Sequence, residues 1–180
     1  MKGFKRDNQK LSLCGLNCML CPMFLGEYCG GCGNGNQPCK IARCGMEHGN
    51  IEYCYECENY PCEKYEDIEK YDSFIIHRRQ KIDLERAKTI GIEQYNLEQE
   101  EKAHILDYLL SRYNDGRRKT FFCLAVNLLE LSELREAMKE LTDNGELDSL
   151  PLKAQCAYVV DVFQKIADRR NVKLKLNKKK

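Results

Sequence analysis

Ten of the twelve cysteines fall in the 49 residues from Cys14 to Cys62. Cys18/Cys21, Cys29/Cys32 and Cys54/Cys57 each have two residues between their members, and Cys39/Cys44 has four. Two-residue spacing puts both sulfurs on one tight turn, as a tetrahedral metal site or an iron–sulfur cluster requires. The four pairs would fill two tetrathiolate zinc sites. Cys14 and Cys62 then substitute for members of the pairs or extend the set to a third, shared-ligand ion. Ten thiolates equally satisfy one ion held by four cysteines plus a two-metal cluster held by six. The expected cofactor is zinc, two or three ions, with all ten cysteines as candidate ligands: Cys14, Cys18, Cys21, Cys29, Cys32, Cys39, Cys44, Cys54, Cys57 and Cys62. Spacing does not say which of them share an ion.

The competing cofactor is [4Fe–4S], held by the same cysteines in an electron-transfer or redox protein. Cys18-x-x-Cys21-Pro22 is similar to the end of a ferredoxin motif, although the order of spacings differs. Cys14-x3-Cys18-x2-Cys21 matches the cluster spacing of radical SAM enzymes, but their motif follows a barrel strand and the chain downstream reads helical. Zinc is preferred because the cysteines lie on knuckle-like turns. In Cys29-Gly30-Gly31-Cys32-Gly33 the backbone must turn its N–H groups toward the sulfurs, which favours glycine at positive φ. A disulfide framework is disfavoured by the spacing and by the start of the chain, MKGFKRDNQKLSL, which lacks a signal peptide's apolar core. A catalytic thiol pair is disfavoured because no βαβ pattern surrounds the CxxC pairs.

Four strings carry a resemblance: Cys14-Gly15-Leu16-Asn17-Cys18-Met19-Leu20-Cys21-Pro22, Cys29-Gly30-Gly31-Cys32, Cys39-Lys40-Ile41-Ala42-Arg43-Cys44, and Cys54-Tyr55-Glu56-Cys57-Glu58-Asn59-Tyr60-Pro61-Cys62. Together they resemble a family of small Cys-rich prokaryotic proteins catalogued as a domain of unknown function with suspected zinc binding. The likeness covers roughly residues 12–95, including Leu84 and Ile90-Gly91-Ile92-Glu93, and extends to the order and grouping of all ten cysteines. It implies metal binding at these cysteines and carries no established activity. The spacer between Cys21 and Cys29 is shorter than in many members.

The elements that must position these cysteines divide at about residue 65. Residues 1–13 read as a lead-in, and 14–65 have no helical period and few large aliphatic side chains, so a staple is needed. Gly30, Gly31, Gly33 and Gly35 mark turns, and Cys21-Pro22, Pro38-Cys39 and Pro61-Cys62 join proline to cysteine. From Glu63 the pattern becomes helical. Helices are expected over 63–71, over 73–90 with a stop at Gly91, and from Leu97 to Tyr113 with Lys102, Ile105, Leu106, Leu109, Leu110 and Tyr113 on one face. Asn114-Asp115-Gly116 signals a turn. The apolar run Phe121–Leu129 reads as a central buried helix, and Ser132 as the cap of one carrying Leu134, Met138 and Leu141. Pro151 opens a last helix with the stripe Cys156, Val159, Val160, Phe163, Ile166 and Ala167. Val172–Leu176 reads as a short strand or extended tail, and Lys178–Lys180 as frayed. The expected fold is a small Cys-rich, metal-stapled, zinc-knuckle-like region (1–65) packed on an all-α helical bundle (66–180).

Charge is nearly balanced, 29 basic residues against 28 acidic, and bound thiolates would make the first part acidic. Neither part looks like a polyanion binder, so the expected partner is a protein before a nucleic acid. No apolar run approaches the ~20 residues of a transmembrane helix. No membrane is expected, and the reducing cytoplasm is the expected compartment. Closed all-cysteine sites leave no open coordination position, which points to a structural or partner-binding role and away from an enzyme.

His48, four residues after Cys44, reads as a loop histidine, and His77 and His104 as surface residues of charged helices. Cys123 and Cys156 lie in apolar stripes and read as buried, inert thiols. Arg117, Arg118 and Lys119 precede the buried helix, where cations oppose the macrodipole. They are a candidate anion site, for instance in an enzyme acting on an anionic small molecule, although solvation or ion pairing explains them more simply. The Gly30–Gly35 stretch lacks the Lys-Ser/Thr of a phosphate-binding loop.

Overall fold

The structure is a computed structural model and describes residues 3–34 and 39–179. Gly35, Pro38 and Lys180, read above as turn-forming or frayed, lie outside the described residues. Among the described residues there are seven α-helices and no strand: α1 Pro22–Leu25, α2 Lys40–Glu47, α3 Gln80–Ile90, α4 Ile92–Tyr113, α5 Lys119–Leu128, α6 Leu131–Asp143 and α7 Leu152–Arg169. The chain divides into two compact units, one of residues 1–99 with 176–180 and one of residues 100–175.

The division falls inside α4, between Gln99 and Glu100, and packing explains why. The core of the first unit draws Phe4, Leu11 and Leu13 from the N-terminal segment, Tyr53, Cys54 and Tyr65 from the Cys-rich loops, and Leu84, Ala87 and Tyr95 from α3 and α4. The Cys-rich segment lacks the aliphatic mass to close a core, and the two helices supply it. Residues 3–13 are therefore part of that core rather than a lead-in. Arg6 is buried there: its guanidinium donates to the carbonyls of Leu11 (2.7 Å) and Glu52 (2.6 Å) and lies 5.0 Å from the centre of the Tyr53 ring. Those bonds offset the cost of burying its charge.

The expected helix over 63–71 is a single 3-10 turn, Glu63–Tyr65. The chain there turns repeatedly, with Asp67 at φ 55. The helix expected from 73 begins at Gln80 instead. Asp72 holds the preceding segment out of helix by accepting the His77 N–H (2.7 Å) and the Asn177 N–H (2.7 Å), while the Asp72 N–H donates to the Asn177 carbonyl (2.8 Å). The C-terminal tail is extended, not a strand, and is fastened to the first unit at this point.

The second unit is a helical bundle. Helix α4 begins at Ile92, five residues before the Leu97 its pattern suggested, and buries Tyr95, Gln99, Lys102, Leu106, Leu109 and Tyr113 at alternating spacings of four and three. Lys102 turns its ammonium onto the Leu129 carbonyl at the end of α5 (2.7 Å), where a cation meets the negative end of the helix dipole. Helix α5 is buried on nearly all sides, as its composition demands. Helix α6 is capped by Glu130 and Glu133 in a reciprocal capping box, so Ser132 lies inside the helix. The buried stripe of α7 has Val162 where Val160 was expected. Among the described residues no helix is long and apolar enough to cross a membrane.

Candidate metal centre

Two of the CxxC pairs adopt one backbone form. Cys18–Leu20 and Cys54–Glu56 are each a single 3-10 turn between extended residues. The closing residues match, Cys21 at φ −85, ψ 125 and Cys57 at φ −80, ψ 132. In each pair the second cysteine's N–H donates to the first one's carbonyl at 3.1 Å. In the Cys29/Cys32 turn, Gly31 (φ 82) and Gly33 (φ 96) take the positive φ anticipated there. A Cβ on Gly33 would come within 2.9 Å of the Arg6 nitrogen, so glycine is also required for the close approach of the N-terminal segment.

Each turn is fixed by groups outside the Cys-rich segment or across it. The Cys18 N–H donates to the Lys10 carbonyl (3.0 Å), and the Asn17 side chain donates to Gln99 Oε1 on α4 (2.7 Å). The Cys54 N–H donates to the Leu13 carbonyl at 3.0 Å. Gln80, the first residue of α3, donates its side-chain amide to the Cys14 carbonyl at 3.1 Å. Cys44 stands on α2, which lies so close to Leu13 that a Cβ on Gly45 would be 2.9 Å from Leu13 Cδ2. Leu13, fully buried, thus lies between the Cys54 turn and the helix carrying Cys44.

Burial pushes the Cys18 and Cys54 thiols up to about 12, and raises that of Cys14 as well. The neighbours that modify these values fall into sets. The Cys18 thiolate is opposed by Cys32, Cys14 and Cys21 and is favoured by a backbone N–H from Cys32. Cys14 feels Cys32 and Cys39. Cys54 feels Cys14, Cys62 and Cys44, and is favoured by the Tyr65 hydroxyl. Tyr65 Oη is buried with no hydrogen-bond partner, and Tyr65 and Cys54 line the same cavity. Cys44, Cys54, Cys57 and Cys62 line one cavity of about 20 Å³. As the side chains stand, no three His, Cys, Asp or Glu groups among the described residues meet closely enough to hold a metal ion. The sulfurs are gathered around common space, and coordination requires them to come closer.

His48 lies beside the cluster, its Nδ1 2.8 Å from the Cys44 carbonyl and 3.6 Å from the Cys44 sulfur, as the C-terminal cap of α2. His77 is in the loop before α3 rather than in a helix; it is half-buried, with Nε2 2.9 Å from Ser73 Oγ and its pKa lowered by burial. His104 is exposed on α4, and Cys123 and Cys156 are buried in the helical unit. Arg117 and Arg118 are exposed and Lys119 is half-exposed. The backbone N–H groups there already have acceptors, Asp115 for Arg117 (3.0 Å) and Asn114 for Arg118 (3.1 Å). Sequence reasoning missed Arg6, Lys64 and Tyr65 as neighbours of the cysteines, because Arg6 sits in the segment read as a lead-in and Lys64 and Tyr65 in one read as a helix. Comparison with protein-family models, curated proteins and solved structures finds no match to this chain.

Proposed function

We propose that this chain is a cytoplasmic metal-binding protein whose first unit holds two or more zinc ions in closed, cysteine-ligated sites on knuckle-like turns, in a structural or partner-binding role. The observation that carries this reading is the cavity shared by Cys44, Cys54, Cys57 and Cys62. The repeated turn at Cys18–Cys21 and Cys54–Cys57 supports it, because each turn presents two soft donors with an N–H nearby. Burial keeps the Cys18 and Cys54 thiols protonated near neutral pH, so zinc would have to displace those protons to solvent as it forms metal–sulfur bonds and cross-links the loops. A partner that is a protein accords with the near balance of charge.

Elemental analysis of anaerobically purified protein tests the reading. Two or three zinc per chain, negligible iron and no visible absorbance are expected. Four or more iron with matching acid-labile sulfide would replace it with the electron-transfer reading.

A further inference from the structure

The ten cysteines admit many partitions, and the structure favours one for part of the set. We infer that Cys44, Cys54, Cys57 and Cys62 together form one mononuclear tetrathiolate site for a divalent ion, separate from whatever the other six cysteines hold. The inference rests on the metal-binding reading above and adds which thiols share an ion.

Three elements supply the four thiols. Cys54 and Cys57 occupy one 3-10 turn, Cys62 opens the next one at Glu63–Tyr65, and Cys44 comes from α2. A tetrahedral site is satisfied by such a set, in which a two-residue turn gives one edge and two other elements complete the figure. All four residues line the same cavity of about 20 Å³, and coordination would draw their sulfurs together across it. Cys54 is buried in the unit's core, and Tyr60 and Tyr65 meet edge to face in the same lining with centroids 5.0 Å apart, while Cys44, Cys57 and Cys62 are partly exposed. Four thiolates complete a tetrahedral ion's coordination and leave no position for a catalytic water.

Charge provides an independent argument. Four thiolates around a divalent ion leave two negative charges in a half-buried place, and an unpaired charge there is costly. Lys64 lines the same cavity. Its ammonium lies 3.5 Å from the Glu63 carboxylate, at the edge of that lining. In sequence terms Lys64 is one charged residue in a run of them. In the fold it is the cation that a tetrathiolate would need. On binding, four S–H protons pass to solvent as four metal–sulfur bonds form, with no oxidation of either partner.

Wild-type protein tests the partition without risk of misfolded variants. The full chain is stripped of metal stepwise with a chelator, free thiols are alkylated at each step, and the modified cysteines are located by mass spectrometry. The expected result is that Cys44, Cys54, Cys57 and Cys62 become reactive together, with the loss of one equivalent of zinc, in a step distinct from the remaining cysteines. Exposure of Cys54 together with Cys14 or Cys18, while Cys44 or Cys62 stays protected, would overturn the partition. So would reactivity of all four before any metal leaves. Protein that carries no metal at all would instead overturn the reading beneath it. A second measurement uses Lys64→Met, which should release one zinc at least several-fold faster and leave the rest of the zinc unaffected. Unchanged release of every ion would contradict the charge argument.

Discussion

Exhaustive chelation is expected to unfold the first unit and leave the helices of the second protected. The first unit has little regular structure to fall back on: α1 and α2 have four and eight residues, and long loops join them to α3. Isolated helices of that length are marginal in water. Its core includes a cluster that contains Cys54 and draws three members from α3 and α4. Structural zinc contributes on the order of 10–16 kcal/mol in small cysteine-bound domains near neutral pH. That is as large as the ~5–15 kcal/mol by which whole domains are stable. The second unit depends on none of this. Phe122, Phe163, Leu134 and Val159 are fully buried there, and its two cysteines lie in apolar packing. Hydrogen exchange read by mass spectrometry distinguishes the units. Peptides from 3–90 should lose protection on chelation, while those from 119–169 keep it. Equal protection in both states would mean that metal, if bound, does not hold the fold.

A second large effect is expected at Gly15. Its φ is +90, and a Cβ there would meet the Gln80 carbonyl oxygen at 2.3 Å and Leu84 Cγ at 2.8 Å. Helix α3 thus begins almost in contact with the Cys14–Leu16 turn, and the Gln80 amide holds the Cys14 carbonyl. Gly15→Ala adds left-handed strain of roughly 1–2 kcal/mol to an overpacking cost of about 1–3 kcal/mol. The first unit should lose about 3 kcal/mol, and its zinc should leave faster because Cys14 is displaced with the turn. Gly49 separates the two causes. It has φ +86 with nothing within 4 Å of a Cβ, so Gly49→Ala should cost only the strain, roughly 1–2 kcal/mol. Denaturant unfolding of both variants checks this, and equal losses would show that the approach of α3 to Gly15 does not matter.

How far the sequence reached depended on whether the information was local. Helix α5 was legible because an apolar run with no polar face has one place to go, and α7 because Cys156, Val159, Phe163 and Ile166 repeat at helical spacing. The segment 63–79 misled because its charged residues imitate a surface helix, whereas Asp72 spends its carboxylate on the backbone of His77 and Asn177. The cap of α6 was misplaced by two residues, since glutamate as a cap is less usual than the nearby serine. Burial of Arg6 had no local signal, because its acceptors at Leu11 and Glu52 meet only in the fold. The spacing marks the cysteines as candidate donors without saying which would share an ion: Cys44 and Cys54 come to line one cavity through the packing of Gly45 on Leu13, which no spacing encodes.

The central claim, that the cysteines close around zinc with sulfur alone, is met most directly by X-ray absorption at the zinc edge on protein as purified. The account predicts four sulfur neighbours per zinc at about 2.3 Å and no nitrogen or oxygen in the first shell. A first shell with nitrogen or oxygen donors at about 2.0–2.1 Å would contradict it, because an open or mixed site would then stand where a closed tetrathiolate is claimed.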